Sequence, residues 1–558
     1  MVELGLYRIA FAPALLAFVA LMFSLQGVPA PLEPAVPPSF DPARAAATGR
    51  AIVSAAPVRP PGSQSDAAAA DIVAEGFGSI RAGTVSEQLV SASYDGDDVT
   101  VRNVLITLPG DSARTVAIIA GRDSPQGPGA ASTAAATGAL VELATALGVS
   151  GHAKTYVLAS TSAYVDGAAG ARAVVEALPD PDAVDAIIVL SQPGVSDPVP
   201  PFVIGASTGA NRTAAQLDAT AQQSVADHAG LDDSGPGALG ELARLAFPSG
   251  AGLEAPLIDA DLNAIALSAS GERTIPPADD GPDDVSRRTL GDFGSATTAL
   301  VQAIEVADAP LDHGAGAYLE VGDNLIPGWT LALLALTLLL PAWIAAADAG
   351  SRAARRHEGL GHALAWAAGK AAPALAALLV LYALALVGLI PRPAFPFDPG
   401  TYGAGAAGVA SIALLAAVAI AAGLLITRRL PPGGVTGATL VAAAGIVSGL
   451  AGLLAWFANP YLGLLLAPAV HVWLLAATGA RTAAVALAAL AALAPPALAL
   501  AAVASALELG SGTPWTFVLM LADGQIGFPA ALALALVTGG LAASIAAARR
   551  DPAGAGPG

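Results

Sequence analysis

The pattern of hydrophobic and polar positions divides the chain into a mixed middle part and two apolar ends. Several apolar stretches of about twenty residues follow Leu325, and another lies near the N-terminus, so each is long enough to cross a bilayer. Between them, residues 32–323 have the composition of a soluble domain and carry most of the acidic residues. We therefore predict four parts: a transmembrane signal anchor at 1–31, an exported domain at 32–323, a membrane domain at 324–550 and a disordered tail at 551–558.

The middle part predicts strands and helices that follow one another along the chain. Short apolar or alternating runs predict strands, at 99–108, 116–120, 154–161, 183–190, 202–205 and 263–268. The intervening segments predict helices, at 69–77, 132–147, 167–178, 209–228, 238–247 and 292–306. Such alternation predicts an α/β fold, in which a mostly parallel mixed sheet is covered by helices on both faces.

The C-terminal part predicts an all-α domain of about seven transmembrane helices, near 327–347, 363–391, 404–427, 434–457, 460–478, 482–507 and 525–547. Residues 515–521 predict a short interfacial or re-entrant piece. Arginines follow every second helix, and Arg392 is the exception among the loops. The positive-inside rule then predicts a multi-pass protein of the cell membrane, with both termini cytoplasmic and residues 32–323 on the extracytoplasmic side.

Charge and cysteine content exclude several classes of function. The net charge of −19 argues against nucleic acid as a partner, because nucleic-acid binding requires clustered Lys and Arg. The chain has no cysteine, which removes disulfides, thiolate zinc sites and cysteine nucleophiles and leaves the redox compartment undetermined.

The stretch from Val116 to Ala144 connects a buried strand to a helix through a loop rich in Gly and Pro. It contains Gly-Arg-Asp-Ser at 121–124, Pro-Gly-Ala-Ala-Ser-Thr at 128–133 and Leu-Val-Glu-Leu-Ala at 140–144. This stretch resembles the metal-binding core of the co-catalytic zinc aminopeptidases, the family of aminopeptidase Y and the secreted bacterial leucyl aminopeptidases. That family has G-H-x-D-S, then P-G-A-x-D-N-x-S-G, then L-L-E-L-A. Residues 59–63 and 103–110 resemble two further segments of the same family.

The resemblance implies a two-zinc peptidase fold whose ligands have been replaced. The family's first histidine falls on Arg122 and its bridging aspartate on Ser132. Its general-base glutamate falls on Tyr164, and its remaining ligands, two carboxylates and a histidine, fall on Val165, Ser191 and Ile275. Since zinc in such sites is bound by imidazole and carboxylate, the resemblance implies no catalytic residue, no metal ligand and no zinc cofactor.

Charged residues remain near the expected cleft. The candidates for ligand binding are Arg122, Asp123, Asp166 and Asp279, with Asp280 beside them. The carboxylates are either solvated surface acids or a weak site for Mg²⁺ or Ca²⁺, which accept oxygen ligands alone. Arg122 either forms a local ion pair, with Asp123 as the expected partner, or binds the carboxylate of a peptide terminus.

The membrane part offers less chemistry. Gly445 to Gly449 resembles the serine turn of intramembrane proteases, but Ile446 stands where a glycine is needed, and Ser and Gly are ordinary helix-packing residues in membranes. Lys370, His471 and Asp523 are ionisable groups in or near apolar stretches, and such groups are functional candidates.

The order of domains resembles the Gaa-type subunit of GPI transamidase, a non-catalytic subunit regarded as holding substrate for a catalytic partner. This resemblance implies a pseudopeptidase that binds a polypeptide or lipid-linked ligand outside the membrane, in contact with membrane lipid and a protein partner. The alternative is an active exported metallopeptidase with non-standard ligands. A transporter is the third hypothesis, and it requires paired intramembrane charges or broken helices.

Overall fold

The structure is a computed structural model of the 558-residue chain. It describes residues 4–34, 36, 39–149, 151–164, 167–178, 180–231, 235–273, 275–307, 311, 316–397, 399 and 402–550. The predicted tail at 551–558 and the site positions Val165 and Asp166 lie outside the described residues.

The strands of the described residues form two sheets. They are β1 Gln26–Gly27, β2 Thr84–Tyr94, β3 Asp97–Leu108, β4 Thr115–Gly121, β5 Thr155–Thr161, β6 Val184–Ser191, β7 Val203–Ile204, β8 Ala264–Ser268, β9 Tyr318–Val321 and β10 Asn324–Pro327. The larger sheet has the order β2-β3-β5-β4-β6-β8-β7. Its four central strands, β5, β4, β6 and β8, are parallel, and the pairings of β2, β3 and β7 are antiparallel. The predicted mixed sheet is therefore confirmed, with parallel pairing at its centre.

Helices precede, cover and follow this sheet. In the described residues they are α1 Leu4–Ile9, α2 Ala12–Phe23, α3 Pro42–Ala55, α4 Gln64–Gly78, α5 Thr133–Leu147, α6 Ala169–Glu176, α7 Ala215–Ala229, α8 Gly237–Ala246, α9 Glu254–Asp259, α10 Arg287–Glu305, α11 Gly328–Arg355, α12 Leu360–Gly369, α13 Ala372–Leu386, α14 Gly405–Arg429, α15 Gly437–Ala458, α16 Pro460–His471, α17 Trp473–Ala477, α18 Thr482–Ala492, α19 Ala494–Ala506, α20 Thr513–Asp523 and α21 Phe528–Ala548.

The large sheet is buried on both faces. Ile118 of β4 packs in a cluster with α3, α4, α5, α7 and α10, whereas Ile119 packs on the other face with α6 and α9. All seven residues of β4 are buried. Double coverage explains why this strand is a continuous apolar run in the sequence instead of an alternating one. The two-layered covering that the alternation of strands and helices predicts is confirmed.

Several elements of this α/β domain were not predicted from the sequence, among them β2, α3 and α9. Strand β2 exposes most of its side chains, so it has no apolar run, and it is held by antiparallel pairing along the whole of β3. Helix α3 is rich in alanine and has little periodicity; Asp41 caps it by accepting a hydrogen bond from the backbone N–H of Ala43 at 2.9 Å.

The C-terminal part is all helical from α11 onward in the described residues, as predicted. Six helical segments of this part are long and apolar enough to cross a membrane, when α16 with α17 and α18 with α19 are each counted as one segment. Helices α12 and α13 are bent by 53° relative to each other, and they make a seventh segment if they form one span. The predicted interfacial piece at 515–521 is α20. The N-terminal apolar helix at 7–23 is shorter than these spans.

The α/β domain rests directly on the helical domain. Leu245 and Phe247, at the end of α8, lie in one apolar cluster with Tyr461 of α16 and Val503 of α19. Asn459 Nδ2 donates to the carbonyl oxygen of Leu245 at 2.7 Å. A second, three-stranded sheet of β1, β10 and β9 lies where both connections between the domains pass. These contacts turn the carboxyl edge of the large sheet toward loops of the helical domain.

Candidate functional site

A cavity of about 810 Å³ lies between the carboxyl ends of the central strands and the helical domain. Gly121 ends β4 and Ser191 ends β6, and both line it. The opposite wall comes from the segment before α14, the segment between α19 and α20, and the first turn of α20. Its residues are Pro399, Gly403, Ala404, Leu507, Glu508, Leu509, Gly512, Trp515 and Thr516. Ligands of open α/β sheets bind at this edge, because loops there converge beyond the strand ends.

The loop from β4 to α5 forms one side of the cavity and is held in place by Arg59. This arginine is fully buried. Its Nε donates to the carbonyl oxygen of Arg122 at 2.8 Å, its Nη1 to that of Pro128 at 3.0 Å, and its Nη2 to Thr133 Oγ1 at 3.0 Å. Burial lowers the pKa of Arg59 to about 10. Gly129 has φ +57°, and a Cβ there would lie 2.6 Å from both Ser124 Oγ and Thr133 Oγ1, so the loop requires glycine at this position.

Arg122 does not face the cavity, which corrects the expectation that it pairs with Asp123 or binds a ligand carboxylate. Its side chain is fully buried, and its Nε lies 2.9 Å from Asp66 Oδ1. It also donates to the carbonyl oxygen of Ser160 at 3.1 Å and to that of Arg102. The guanidinium is directed beneath the sheet edge toward α4 because Asp66 supplies the opposite charge there. Arg122 is therefore part of the domain interior.

Asp123, by contrast, lines the cavity. Its two carboxyl oxygens accept the backbone N–H of Tyr164 at 3.0 and 3.1 Å. Burial, together with the negative charge of Asp66, raises the pKa of Asp123 to about 7. At neutral pH this carboxyl group is therefore partly protonated, so it can donate a hydrogen bond as well as accept one.

Ser132, which the sequence resemblance aligns with the bridging aspartate, binds Asp280. Its hydroxyl donates to this carboxylate, which also accepts the backbone N–H groups of Ala131 at 2.7 Å and of Ser132 at 3.1 Å. Asp280 therefore caps the start of α5, where a negative charge is favourable. Burial raises the pKa of Asp280. The adjoining Asp279 is exposed at the rim of the cavity.

The structure brings most of the replaced ligand positions together. Ser132, Tyr164, Ser191 and Ile275 all line the cavity, together with Asp123 and Asp279. Arg122 is buried behind it, and Val165 and Asp166 lie outside the described residues.

This set of side chains does not fit the two zinc ions that the resemblance would imply. Among the described residues, no group of three or more His, Cys, Asp or Glu side chains is placed to hold a metal ion. The described lining residues include no histidine. The hydroxyl of Ser132 is already committed to Asp280, and Ile275 has no donor atom for a metal.

Several lining residues were missed by sequence reasoning. Glu254 and Gln192 line the cavity from α9 and from the end of β6, and neither carries a motif. Arg273 Nη1 lies 3.2 Å from Glu508 Oε1, an ion pair that joins the two domains. Trp515 donates through Nε1 to the carbonyl oxygen of Tyr402 at 2.8 Å, which orients its indole ring. Only the packing of the domains shows these residues to be neighbours.

His471, Lys370 and Ser448 of the helical domain make local contacts. Nδ1 of His471 donates to the carbonyl oxygen of Ala467 at 2.8 Å. The centroid of its ring lies 6.1 Å from the ring centroid of Tyr7 and 6.1 Å from that of Phe11. Lys370 Nζ lies 5.4 Å from the ring centroid of Trp366. Ser448 packs against Gly540 of α21, where a Cβ would lie 2.3 Å from its hydroxyl oxygen. These contacts are those of packed helices.

No model of a known protein family matches the chain, and no curated protein matches it. Among solved structures, a glutaminyl cyclase from an Acidobacteriales bacterium is similar at 17% identity and TM-score 0.40, over 50% of this chain and 99% of its own. A Zn-dependent exopeptidase from Parabacteroides distasonis is similar at 15% identity and TM-score 0.35, over 48% of this chain and 99% of its own. A leucine aminopeptidase precursor from Bacteroides thetaiotaomicron is similar at 16% identity and TM-score 0.35, over 48% of this chain and 98% of its own. At these values the likeness is remote, and it covers about half of the chain.

Proposed function

We propose that this protein is a membrane-anchored pseudopeptidase, which binds a polypeptide or lipid-linked ligand in the cavity between its two domains without hydrolysing it. The observation that carries the proposal is the composition of that cavity. One wall is the peptidase-like sheet edge with its ligand positions replaced, and the other is the top of the helical domain. A cavity of about 810 Å³ falls within the size range of ligand sites in proteins.

The helical wall favours a ligand with an apolar part. Leu507, Leu509 and Trp515 line it, and they belong to segments that join or begin helices of the membrane domain. A ligand anchored in the bilayer would reach this wall with its apolar portion close to the helices, while its polar portion meets Asp123 and Asp280. A protein partner that acts on the held ligand completes the proposal, in which the protein works as a binding subunit of a membrane complex.

Photo-crosslinking in native membranes tests this proposal. A photoreactive phenylalanine analogue replaces Ile275 or Trp515, which line the cavity, in the full-length chain. The control position is Leu89, which is 77% exposed on β2 and is not among the lining residues. We expect peptide or lipid-linked adducts, identified by mass spectrometry, at positions 275 and 515 and not at 89. Absence of adducts at both cavity positions, or equal adducts at 89, contradicts the proposal.

A further inference from the structure

Glu254 is a buried carboxyl group at the edge of the cavity. It begins α9 and is 1% exposed, and neither of its carboxyl oxygens has a hydrogen-bond partner among the described residues. Gly252 makes room for the group, because a Cβ at that position would lie 2.1 Å from Glu254 Oε2. An unsatisfied buried polar group typically costs about 1–3 kcal/mol, and more when it is charged. An unsatisfied buried group calls for an explanation, and a donor on a ligand in the adjoining cavity is one.

Gln192 presents a second unsatisfied acceptor to the same place. It follows β6 directly, is 8% exposed and has φ +52°, a backbone conformation that is costly for residues other than glycine. Its Nε2 donates to the carbonyl oxygen of Arg273 at 2.9 Å, so its amide group is oriented. Its Oε1 has no hydrogen-bond partner in the described part of the chain.

Both residues line the main cavity and also a small adjoining cavity of about 40 Å³. Glu272 lines the small cavity too, and its carboxylate is paired with Arg244 at 2.9 Å. The side of the small cavity that Glu254 and Gln192 form therefore offers acceptor oxygens, and a compact group carrying several donors is needed to satisfy them. The volume suits one such group.

We propose that Glu254 and Gln192 bind the primary ammonium group of the ligand held in the cavity. A primary ammonium carries three N–H donors and a positive charge, which matches two carboxylate oxygens and one amide oxygen. A divalent metal ion fits less well, because calcium takes six to eight oxygen ligands and no group of three His, Cys, Asp or Glu side chains surrounds such a point in the described residues. The inference rests on the proposed function and names the chemistry of its ligand.

The remaining charges of the main cavity favour a cation as well. Its acidic lining residues are Asp123, Asp197, Glu254, Asp279, Asp280, Asp284 and Glu508. The basic side chain among the described lining residues is Arg273, and it is paired with Glu508. A ligand whose head is an anion would therefore meet repulsion along most of the polar wall.

Binding of matched probes tests the inference on the full-length protein in phosphatidylcholine nanodiscs. The first pair is the tripeptide Leu-Ala-Ala with a free or an acetylated amino terminus. The second pair is phosphatidylethanolamine and its N-acetylated form. We expect the free-amine member of at least one pair to bind about tenfold more tightly or better, as a charge-assisted hydrogen bond allows. The pair that shows this preference identifies the source of the amine as a peptide terminus or a lipid headgroup.

Glu254→Gln tests the residue itself, since it keeps the shape and removes the carboxyl group. Burial raises the pKa of Glu254 to about 8, and a bound ammonium group would favour its ionised form. We expect this variant to lose the preference for the free amine while it still binds the acetylated probe. Asp197→Asn is the matched control, because Asp197 is an exposed lining residue of the same cavity and its substitution makes the same change from carboxyl to amide. Gln192→Met provides a second variant that removes the other acceptor, with thermal unfolding as the check on folding.

The outcomes separate this inference from the proposed function. Equal binding of free and acetylated probes, or equal effects of Glu254→Gln and Asp197→Asn, overturns the ammonium site and leaves a ligand-binding cavity intact. Absence of binding by all four probes also overturns the ammonium site. The proposed function is overturned in addition only when crosslinking in the cavity yields no adduct.

Discussion

Arg122 Nε lies 2.9 Å from Asp66 Oδ1, and both side chains are buried inside the α/β domain. The pair joins the end of β4 to α4. The positive charge of Arg122 is balanced by the carboxylate of Asp66 and not by a ligand. Arg122 therefore has a structural role in the domain interior.

Removing one member of this pair should destabilise the protein strongly. We expect Arg122→Ala to lower the free energy of unfolding by about 3–5 kcal/mol, because it leaves Asp66 buried without its partner. Urea unfolding can be followed by alkylation of a single cysteine at Ala139, which is 1% exposed, since the chain has no cysteine of its own. Arg288→Ala is the control: this arginine is 90% exposed, so a change below about 0.5 kcal/mol is expected. Equal effects of the two substitutions would contradict the structural role.

Asp123 should make stability depend on pH between about 4 and 7. Its pKa is raised to about 7 by burial and by Asp66. The folded state therefore keeps a proton that the unfolded state loses near pH 4. Folding is then favoured at low pH, and stability falls as pH rises toward 7, by up to about 1.4 kcal/mol per pH unit. Asp123→Asn should remove this loss, so that the variant is more stable than the parent at pH 8 but not at pH 4. Parallel stability curves for the two proteins would show that Asp123 is ionised throughout.

We expect the full-length protein to carry no stoichiometric zinc and to keep its stability in the presence of a chelator. Zinc held at a thousandfold excess over its dissociation constant would stabilise the folded state by roughly 4 kcal/mol. Elemental analysis and thermal unfolding with and without EDTA measure this, and aminoacyl substrates should not be hydrolysed. One or two zinc ions per chain, lost together with stability on chelation, would favour the active metallopeptidase instead.

Single cysteines test the predicted topology. Ala82→Cys lies at an exposed site of the α/β domain, and Ala354→Cys lies at the exposed end of α11 among its arginines. The positive-inside rule predicts that an impermeant maleimide labels position 82 in intact cells and labels position 354 only after lysis. The reverse pattern would place the α/β domain in the cytoplasm.

The N-terminal segment should be retained in the mature protein. Gln26 pairs with Leu325 and Gly27 with Asn324, so β1 completes the edge of the small sheet between the domains. Cleavage before these residues would preserve that pairing, whereas cleavage after Ala30 would remove it and expose an unpaired strand edge. Mass spectrometry of the purified chain should therefore show residues 1–31 intact. A chain that begins at Pro31 would indicate a cleaved signal peptide.

Apart from β2, α3 and α9, the sequence alone determined most strands and helices of the α/β part and the presence of a second part made of long apolar helices. Both follow from local patterns: β4 is a continuous apolar run because it is covered on both sides, and α14 is apolar over a length that spans a bilayer. The alignment of Ser132, Tyr164, Ser191 and Ile275 with the family's general base and metal ligands rests on their distance from recognisable motifs, and it stays a prediction. The structure places these four residues in one cavity.

Tertiary structure alone decided what the charged residues do. Arg122 pairs with Asp66, 56 positions earlier, because the sheet and α4 bring the two together; the neighbouring Asp123, which was the expected partner, turns toward the cavity instead. Glu254 lies in a short helix that shows no sequence pattern, and its importance arises only from the absence of a donor around it in the described residues. The wall opposite the sheet comes from segments more than two hundred residues further along the chain. Local periodicity cannot encode such contacts, because they depend on how separately formed elements pack against one another.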